Sequence, residues 1–453
     1  MPSRHAAPRF RIVDVGLFER DVRLRMPFRF GVVTLTESPQ AFARVRIRME
    51  DGREAEGAAA ELLAPKWFDK DPALTNEDNY DQLRGSLARS REACLAHEAR
   101  TAWGHAAPVR GLVENYGAAL LDRALLDAAC RALGAPFHEA IRSNLVGAPA
   151  FEGIDLGAFF ATLAPARTVA ARHTVGLVDP ITAADQERRV NDGLPETLEE
   201  VVARYGQRYF KLKVGGDARA DVERLAAIAA VLERIDGPYH VTLDGNEQYE
   251  DMQGLAELWA RMKGEVRLAR LVASVLFIEQ PVKRQVALST KVAGIDVPVI
   301  IDESDDSLDA FPRAKSLGYR GVSSKTCKGI YKSLVNRARC AAWGAGYFMS
   351  GEDLTIQPGL ALQQDLALVS LLGLTHVERN GHHYVNGMAG LPRAEQDAFL
   401  AAHADLYERS HGAVRVRIEE GMLHIGSLDC PGYASRALPD WNSMREMTWA
   451  SVS

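Results

Sequence analysis

The sequence predicts an α/β protein built on a closed or nearly closed parallel barrel, preceded by an α+β unit. From about residue 170, short apolar segments alternate with helical segments eight times. The segments VLFI and VPVII are continuously apolar, which is typical of parallel strands buried on both faces. Acidic residues and lysines follow these segments, at the point where a barrel gathers the carboxyl ends of its strands.

Length and composition narrow the class of protein. A chain of 453 residues is long enough for about two to three domains. The net charge of -6 gives no basic field for nucleic acid or an anionic membrane. The five cysteines are scattered without a CxxC pair, which predicts neither disulfides nor a zinc site. Without an apolar leader or a membrane-length apolar run, we expect a cytoplasmic protein with no nucleic-acid or membrane partner.

The first part of the chain has strand signals and then helix signals. Residues 10–60 alternate apolar and polar side chains, and Asp51-Gly52 indicates a hairpin turn. Two apolar segments, 26–38 and 58–74, are predicted to be loops, which either close over a site or pack on a neighbour. Helical periodicity over residues 76–134 completes an α+β unit.

The second part is the predicted barrel, followed by a β-rich tail. The alternation after His411 predicts a hairpin with Glu420-Gly421 at its turn, in a tail that returns to the N-terminal unit. Residues 143–168 look like an insertion, and so does part of the long segment between Asp244 and Glu279. The eight predicted barrel strands are 171–179, 209–215, 239–245, 275–281, 297–303, 321–326, 347–353 and 374–381.

Three carboxylates end three successive predicted strands. Asp244, Glu279 and Asp302 would converge on one mouth, because the carboxyl ends of barrel strands lie together. Three carboxylates so close repel one another, and a cation removes that cost. Hard oxygen ligands without Cys or His favour Mg²⁺, or Mn²⁺, over zinc.

Lysines flank the three carboxylates. Lys211 and Lys213 in FKLKVG point to the same face of their strand, into the barrel. Lys325 ends the sixth predicted strand, across the mouth from the second. Burial, a metal and a neighbouring ammonium all disfavour a protonated lysine, so we expect a base that works near neutral pH. Two such lysines could reach the two faces of a carbon acid whose carboxylate a metal holds.

These motifs together resemble a known family. The set K-x-K (211–213), D-x-N (244–246), E-Q-P (279–281), D-E-S (302–304) and Lys325 is similar to that of the enolase superfamily. Within it, the set resembles the muconate lactonizing enzyme subgroup of the mandelate racemase/muconate lactonizing enzyme family. The resemblance covers nearly the whole chain. It implies a modified (β/α)7β TIM barrel and an α+β capping domain completed by the C-terminal tail.

The resemblance also implies three parts and a role for each charged residue. The predicted parts are a capping domain (1–136), the catalytic barrel (137–411) and the returning tail (412–453). It implies a homo-oligomer, a dimer or an octamer, and two specificity loops at Met26–Thr36 and Ala59–Asp69. The implied roles are Mg²⁺ ligands for Asp244, Glu279 and Asp302, acid/base groups for Lys213 and Lys325, a substrate-carboxylate contact for Lys211, a supporting residue beside the metal for Asn246, and a partner of Lys325 for Glu303.

The chain departs from two patterns of that superfamily. Its seventh strand reads MSGEDLT, without the histidine of the mandelate racemase type. Its eighth reads HVERNGHHY, without the Asp-x-Asp of dipeptide epimerases, which puts a dipeptide substrate in doubt. We expect His376, His382 and His383 to stand in a loop or behind the site. The candidates for substrate specificity are Phe30, Trp67, Glu352, Asp353 and Glu378, although Glu352 and Asp353 could instead cap the next helix.

The expected function is Mg²⁺-dependent removal of the proton α to the carboxylate of a small molecule, through an enediolate. Racemisation, epimerisation or cycloisomerisation would follow. An acid-sugar dehydratase of the same superfamily is an alternative, in which His382, His383 or Glu378 would protonate a leaving hydroxyl. A Schiff-base lysine barrel of the aldolase type and a metal-binding homologue without turnover are further alternatives.

Overall fold

The N-terminal part of the protein is an antiparallel sheet. A computed structural model describes residues 7–106, 110–354 and 356–449. The strands alternate buried and exposed side chains, because one face of the sheet packs on helices. The predicted turn at Asp51-Gly52 is confirmed, with a φ of 88° at Gly52. The sheet begins with β1 (Phe10–Phe30), β2 (Val33–Met49) and β3 (Glu54–Leu62), in the order β1-β2-β3.

The first apolar segment, 26–38, was predicted to be a loop, and this prediction is wrong. The segment forms the end of the β1–β2 hairpin. Phe28 pairs with Leu35, Phe30 pairs with Val33, and Gly31 makes the turn with a φ of 51°. Phe28, Phe30 and Leu35 are buried, so the strands extend because their inward side chains find an apolar surface. The second predicted loop is also shorter than expected, because β3 continues to Leu62.

Helices cover one face of this sheet, as predicted. Thr75 forms a capping box at the start of the first long helix, and Gly134 ends the second in a left-handed conformation. Gly57 permits close packing, since a Cβ there would lie 2.2 Å from the backbone nitrogen of Ala128. The helices of this part and of the link to the barrel are α1 (Asn76–Leu95), α2 (Ala102–His105), α3 (Leu112–Leu133), α4 (Phe137–Arg142) and α5 (Leu156–Ala161).

The barrel consists of eight parallel strands in sequential order, and the eighth pairs with the first to close it. All eight predicted barrel strands are confirmed. They are buried along most of their length, as expected for strands that helices cover on the outside. The barrel strands are β4 (Thr168–Val175), β5 (Tyr209–Lys213), β6 (His240–Asp244), β7 (Val275–Glu279), β8 (Val299–Ile301), β9 (Gly321–Ser324), β10 (Phe348–Gly351) and β11 (His376–Arg379).

Helices follow most barrel strands, and the long connection between β6 and β7 holds two of them. That second helix accounts for the extra length that the sequence has there. The helices of the barrel and its C-terminal edge are α6 (Leu198–Tyr205), α7 (Ala218–Leu232), α8 (Met252–Gly264), α9 (Ala269–Ala273), α10 (Arg284–Ala287), α11 (Ala310–Ser316), α12 (Ile330–Trp343), α13 (Leu360–Leu371), α14 (Gly381–Tyr384) and α15 (Arg393–Ala402).

The tail differs from the prediction in its strand partners. The turn at Glu420-Gly421 is present, but the strands on its two sides do not form one ladder. The strand before it pairs back with residues 407–410, and the strand after it adds antiparallel to β4 of the barrel, whose edge is open there. The tail strands are β12 (Tyr407–Ser410), β13 (Ala413–Val416), β14 (Met422–His424) and β15 (Arg445–Glu446).

The end of the tail does return to the N-terminal sheet, since β15 pairs with β1 beside Phe18. The division at 136 and 411 stays a proposal, because the tail contacts both the sheet and the barrel. All five cysteines are free and buried. Among the residues described, no helix has the length and apolar character needed to cross a membrane.

Candidate active site

The charged residues predicted at the strand ends do lie together at one end of the barrel. Lys213 ends β5 opposite Asp244 at the end of β6, and Asp244 stands opposite Glu279 at the end of β7. Asp302 directly follows β8, and Lys325 directly follows β9. Each of these five side chains is buried. Strand register therefore places carboxylates on three adjacent strands with a lysine on each side.

Lys211 lies at the centre of the cluster and contacts four carboxylates. Its Nζ is 2.9 Å from Asp244, 2.7 Å from Glu279, 2.7 Å from Glu352 and 2.9 Å from Glu378. Burial alone would lower the pKa of Lys211, but these carboxylates raise it well above the ordinary lysine value. Lys211 is therefore a fixed positive charge in this arrangement.

Glu279 is the carboxylate whose charge is least compensated. Neither of its oxygens accepts a hydrogen bond from the residues that the structure describes, although one is in contact with Lys211. Burial and the neighbouring Asp244 and Glu352 carboxylates raise the pKa of Glu279 well above its ordinary value. A buried carboxylate without hydrogen bonds is costly unless a cation compensates it. Glu279, Asp244 and Asp302 offer the oxygen donors that a divalent cation such as Mg²⁺ prefers.

As they stand, the carboxylates are engaged by lysines. In the described part of the chain, no three His, Cys, Asp or Glu side chains converge closely enough to hold a metal ion. Lys213 Nζ lies 2.5 Å from Asp244, and Lys325 Nζ lies 2.5 Å from Asp302. A cation at the carboxylates would compete with these ion pairs for the same oxygens.

The expected low pKa of Lys325 is not found. Burial would lower the pKa of Lys325, but contact with the Asp302 carboxylate raises it above the ordinary lysine value. Conversely, burial would raise the pKa of Asp302, but Lys325 and Lys328 lower it. The ion pair outweighs desolvation because the two charges are in direct contact.

The two predicted supporting residues, Asn246 and Glu303, contact each other. Asn246 Oδ1 accepts a hydrogen bond from Lys213 Nζ at 2.6 Å, and Asn246 Nδ2 donates to Glu303 Oε1 at 3.2 Å. Glu303 was expected beside Lys325, but its ion pair is with Lys70, at 3.0 Å. Asp302 takes the place of Glu303 as the carboxylate in contact with Lys325.

A cavity lies over the lysines, and an apolar roof covers it. The cavity volume is about 20 Å³, which is room for about one water molecule. Trp67 covers Lys325, with the ammonium 4.3 Å from the ring centroid. Both predicted loop segments contribute to the roof, which consists of Phe28, Phe30, Leu35, Ala64 and Trp67.

Of the polar specificity candidates, two line the cavity and one does not. Asp353 and Glu378 line it, together with Asn380. Burial raises the pKa of Asp353 to about 6. Burial would also raise the pKa of Glu378, but Lys211 and other lysines hold it well below its ordinary value. Glu352 is fully buried below the cavity, where it contacts Lys211 and Arg172.

The three histidines near the eighth strand stand behind the cavity, as expected. His376 Nδ1 accepts a hydrogen bond from Arg172 at 2.7 Å, and His382 lies 3.2 Å from His173. Burial lowers the pKa of His382 to about 3, and it lowers the pKa of His383 as well. None of the three is among the residues that line the described cavity.

Three charged residues of the site were not identified from the sequence. Arg172, in the first barrel strand, donates to Ser350 at 3.1 Å and balances Glu352. Lys328 donates to Ser323 at 2.7 Å, beside Asp302. Lys70 reaches the site from the roof. A charged residue inside a buried strand could have indicated Arg172, but no local pattern indicates where Lys70 ends.

A closed α/β barrel with carboxylates ending three adjacent strands, and lysines on the strands beside them, is typical of barrel enzymes, whose active sites lie at the carboxyl ends of the strands. Residues 193–433 match the family model described as enolase C-terminal domain-like. The chain belongs to the enolase superfamily, in its mandelate racemase/muconate lactonizing enzyme group. The resemblance found in the motifs is thereby confirmed.

Solved structures share the fold at low sequence identity. A mandelate racemase/muconate lactonizing protein from Herpetosiphon aurantiacus has a TM-score of 0.60 and 16% identity, over 94% of this chain and 99% of that one. The L-Ala-D/L-Glu epimerase from Bacillus subtilis has a TM-score of 0.60 and 15% identity, over 94% and 99%. An enolase from Bradyrhizobium complexed with magnesium and mandelic acid has a TM-score of 0.61 and 16% identity, over 96% and 97%. No curated protein matches the sequence.

Proposed function

We propose that this enzyme removes the proton α to the carboxylate of a small substrate and returns a proton to the same carbon or to a rearranged product. Racemisation, epimerisation or cycloisomerisation would result. The observation that carries the proposal is the placement of Lys213 and Lys325. Lys213 ends strand β5 and Lys325 directly follows strand β9. These two strands lie opposite each other in the ring of eight, and both lysines line one cavity.

The proposed cofactor is Mg²⁺, with Mn²⁺ as an alternative. Asp244, Glu279 and Asp302 would hold it, and the weakly compensated charge of Glu279, whose partner among the described residues is Lys211, supports this assignment. When bound, the ion would hold the substrate carboxylate and stabilise the negative charge that develops as the α-proton leaves. Structures of similar fold complexed with magnesium agree with this choice.

Side chains of the protein carry out the remaining steps, which are proton transfer, substrate binding and exclusion of water. One of Lys213 and Lys325 takes the α-proton after its ion pair with Asp244 or Asp302 opens, because contact with Asp302 raises the pKa of Lys325. The other delivers a proton to the opposite face or stays as a cation. Lys211 remains charged beside the substrate carboxylate, because four carboxylates surround it. Asn246 orients Lys213 through its amide oxygen. The roof keeps water from the reacting carbon, which strengthens every charge interaction in the cavity.

A dehydratase that acts on acid sugars is the second candidate. It needs an acid that can protonate a leaving hydroxyl. Asp353 lines the cavity, and its pKa of about 6 supports that role. His382 and His383, considered for it from the sequence, do not line the described cavity. Glu378 does line it, but a carboxyl with a lowered pKa is a poor acid.

The experiment is proton exchange in D2O. A library of small carboxylates, including both epimers of 2-substituted acids and sugar acids, is incubated with the protein and Mg²⁺. NMR and chiral chromatography then detect deuterium at the α-carbon, inversion, ring closure or keto-acid products. We expect α-exchange with at least one class of carboxylate. Full exchange of both epimers by the Lys213→Ala, Lys325→Ala double variant would refute the two-lysine mechanism.

A further inference from the structure

Lys70 connects the roof of the cavity to the barrel. It stands in the segment 63–71, which we call the roof loop. Its Nζ lies 3.0 Å from Glu303 Oε1, 2.8 Å from the carbonyl oxygen of Asn246 and 2.7 Å from Glu247. One lysine of the roof loop therefore holds three groups that belong to the ends of β6 and β8.

The contacts continue from Lys70 to the proposed base. Glu303 Oε1 accepts hydrogen bonds from both Lys70 and the side-chain amide of Asn246. The other end of that amide contacts Lys213 Nζ at 2.6 Å. Lys70 thus holds Asn246 twice, directly at its carbonyl and indirectly through Glu303. Asn246 also has a left-handed backbone, with a φ of 41°, a conformation that needs support from its surroundings.

Loss of Lys70 would leave Glu303 poorly compensated. Glu303 is fully buried, and its second oxygen has no hydrogen-bond partner in the described part of the chain. Without Lys70, its remaining hydrogen bond is the one from Asn246. A buried carboxylate in that position tends to move. Such a movement would disturb the amide that orients Lys213.

Arg284 also holds the roof loop, but it does not reach the proposed base. It donates to the carbonyl oxygens of Trp67 and Phe68, at 3.2 and 3.0 Å, and it pairs with Glu247 at 2.9 Å. No contact of Arg284 with Asn246 or Glu303 is found among the described residues within hydrogen-bonding distance. The two cations therefore fix the same loop in different ways.

We propose that Lys70 is a positioning residue for proton transfer. With the roof loop against the barrel, Lys70 fixes Glu303 and Asn246, and Asn246 fixes Lys213 for the reaction. The proposal rests on the proposed function of Lys213. It links the position of the roof, which selects the substrate, to the geometry of the base. A substrate that keeps the roof loop away from the barrel would bind beside a displaced Lys213.

The kinetic test compares four variants on a substrate found by proton exchange. Lys70→Met should lower kcat about 10- to 100-fold with a smaller change in KM, since a displaced reacting group costs about that much. Lys70→Arg should restore most of kcat. Arg284→Met should raise KM and leave kcat within about threefold, because it loosens the loop alone. Lys66→Met is the matched control, because Lys66 Nζ donates to backbone carbonyls of the neighbouring Asp71 and Leu74.

Equal kcat values for Lys70→Met and Lys66→Met would overturn the proposal. A Lys70→Met variant that changes KM alone, as is expected for Arg284→Met, would also overturn the proposal. Lys70 would then only hold the roof loop in place.

Hydrogen–deuterium exchange of the backbone gives a readout that needs neither substrate nor turnover. In Lys70→Met, faster exchange is expected in the roof loop and at the backbone amide of Asn246. In Arg284→Met, it is expected in the roof loop and at Glu247, with which Arg284 pairs, but not at Asn246. Unchanged exchange at Asn246 in Lys70→Met would reject the link through Asn246. That result would leave the α-proton proposal standing. A wild-type protein with no α-exchange would instead reject the α-proton proposal and leave only the structural link from Lys70 to Asn246.

Discussion

Lys213 and Lys325 face one cavity from opposite sides of the barrel, with three strands between them in either direction around the ring. The carboxylates of Asp244, Glu279 and Asp302 occupy the strands between them on one side only. A substrate carboxylate held on that side would present its α-carbon between the two ammonium groups. This relationship leads to a stereochemical prediction.

Each lysine should serve one face of the α-carbon. If the enzyme is a racemase or epimerase, Lys213→Ala should abolish α-exchange from one epimer, and Lys325→Ala should abolish it from the other. Loss of an acid/base group lowers the rate about 10²- to 10⁴-fold. The measurement is deuterium incorporation into each pure epimer, followed by NMR.

A surface lysine provides the control for that experiment. Lys283, which is exposed and pairs with Glu250, should be replaceable by alanine without effect on either epimer. Equal loss of exchange from both epimers in each single variant would contradict the assignment of one lysine to each face.

Glu279→Gln should remove the response of the protein to Mg²⁺. A ligand that binds only the folded state raises Tm. It adds about 2.7 kcal/mol to the free energy of unfolding when the ligand concentration is 100 times Kd. We expect Mg²⁺ to raise the Tm of the wild-type protein and to leave that of Glu279→Gln unchanged. Without Mg²⁺, the variant should be at least as stable as the wild type, because Glu279 is repelled by Asp244 and Glu352.

Glu352→Gln separates a metal ligand from a structural carboxylate. Glu352 contacts Lys211 but also Arg172 and Ser350. Its loss should lower Tm, while the increase in Tm caused by Mg²⁺ should persist. An unchanged Mg²⁺ response in Glu279→Gln, measured by calorimetry or thermal unfolding, would argue against Glu279 as a ligand.

His403 should make folding sensitive to mild acid. Burial lowers the pKa of His403 to about 4, and its Nε2 accepts a hydrogen bond from the backbone of Arg436. A histidine with a lowered pKa contributes stability that is present above about pH 6.5 and is lost as the pH falls toward the folded value. Between pH 7.5 and 5.5 this loss is about 1 kcal/mol.

The test of this prediction is a comparison of Tm at the two pH values. His403→Gln keeps a side-chain acceptor without a titrating group, so its Tm should fall less on acidification than that of the wild type. His424→Gln, at an exposed position, should behave as the wild type does. Parallel falls in all three proteins would show that His403 does not contribute.

The buried pair Arg20–Glu395 should be sensitive to loss of one partner. Arg20, on β1, donates twice to Glu395, on α15, at 2.9 and 2.8 Å. Arg20→Met leaves a buried carboxylate unpaired and should cost about 3–5 kcal/mol of unfolding free energy. The measurement is denaturation by urea. The Arg20→Met, Glu395→Leu double variant should recover most of that loss, and failure to recover it would point to packing rather than charge.

The charged residues at the barrel mouth were predictable because their placement follows from strand periodicity. The two lysines of FKLKVG lie two positions apart, so they share one face of their strand. The acids at the ends of three parallel strands converge with them when the barrel closes. The eight strands and the two long N-terminal helices were predictable for a similar reason, since their apolar spacing is strong and local.

Other features depend on contacts between distant parts of the chain. The segment 26–38 looks like a loop, but it extends as strands because Phe28 and Phe30 are buried, with Phe28 stacking on Tyr384. β14 follows a good hairpin turn, yet it adds to β4 because the barrel offers an open edge there. Glu303 pairs with Lys70 of the roof rather than with Lys325, its expected neighbour.

By itself, the sequence determined the barrel, the order of its strands and the set of charged side chains at its mouth, because all three depend on short-range periodicity. Only the tertiary structure decided which charges are in contact. The pKa of Lys325 is raised rather than lowered, because Asp302 stands within ion-pair distance of it. Lys70 reaches Glu303 across more than two hundred residues of chain. Such pairings depend on distances of a few ångströms between separate elements, and no local pattern of residues encodes them.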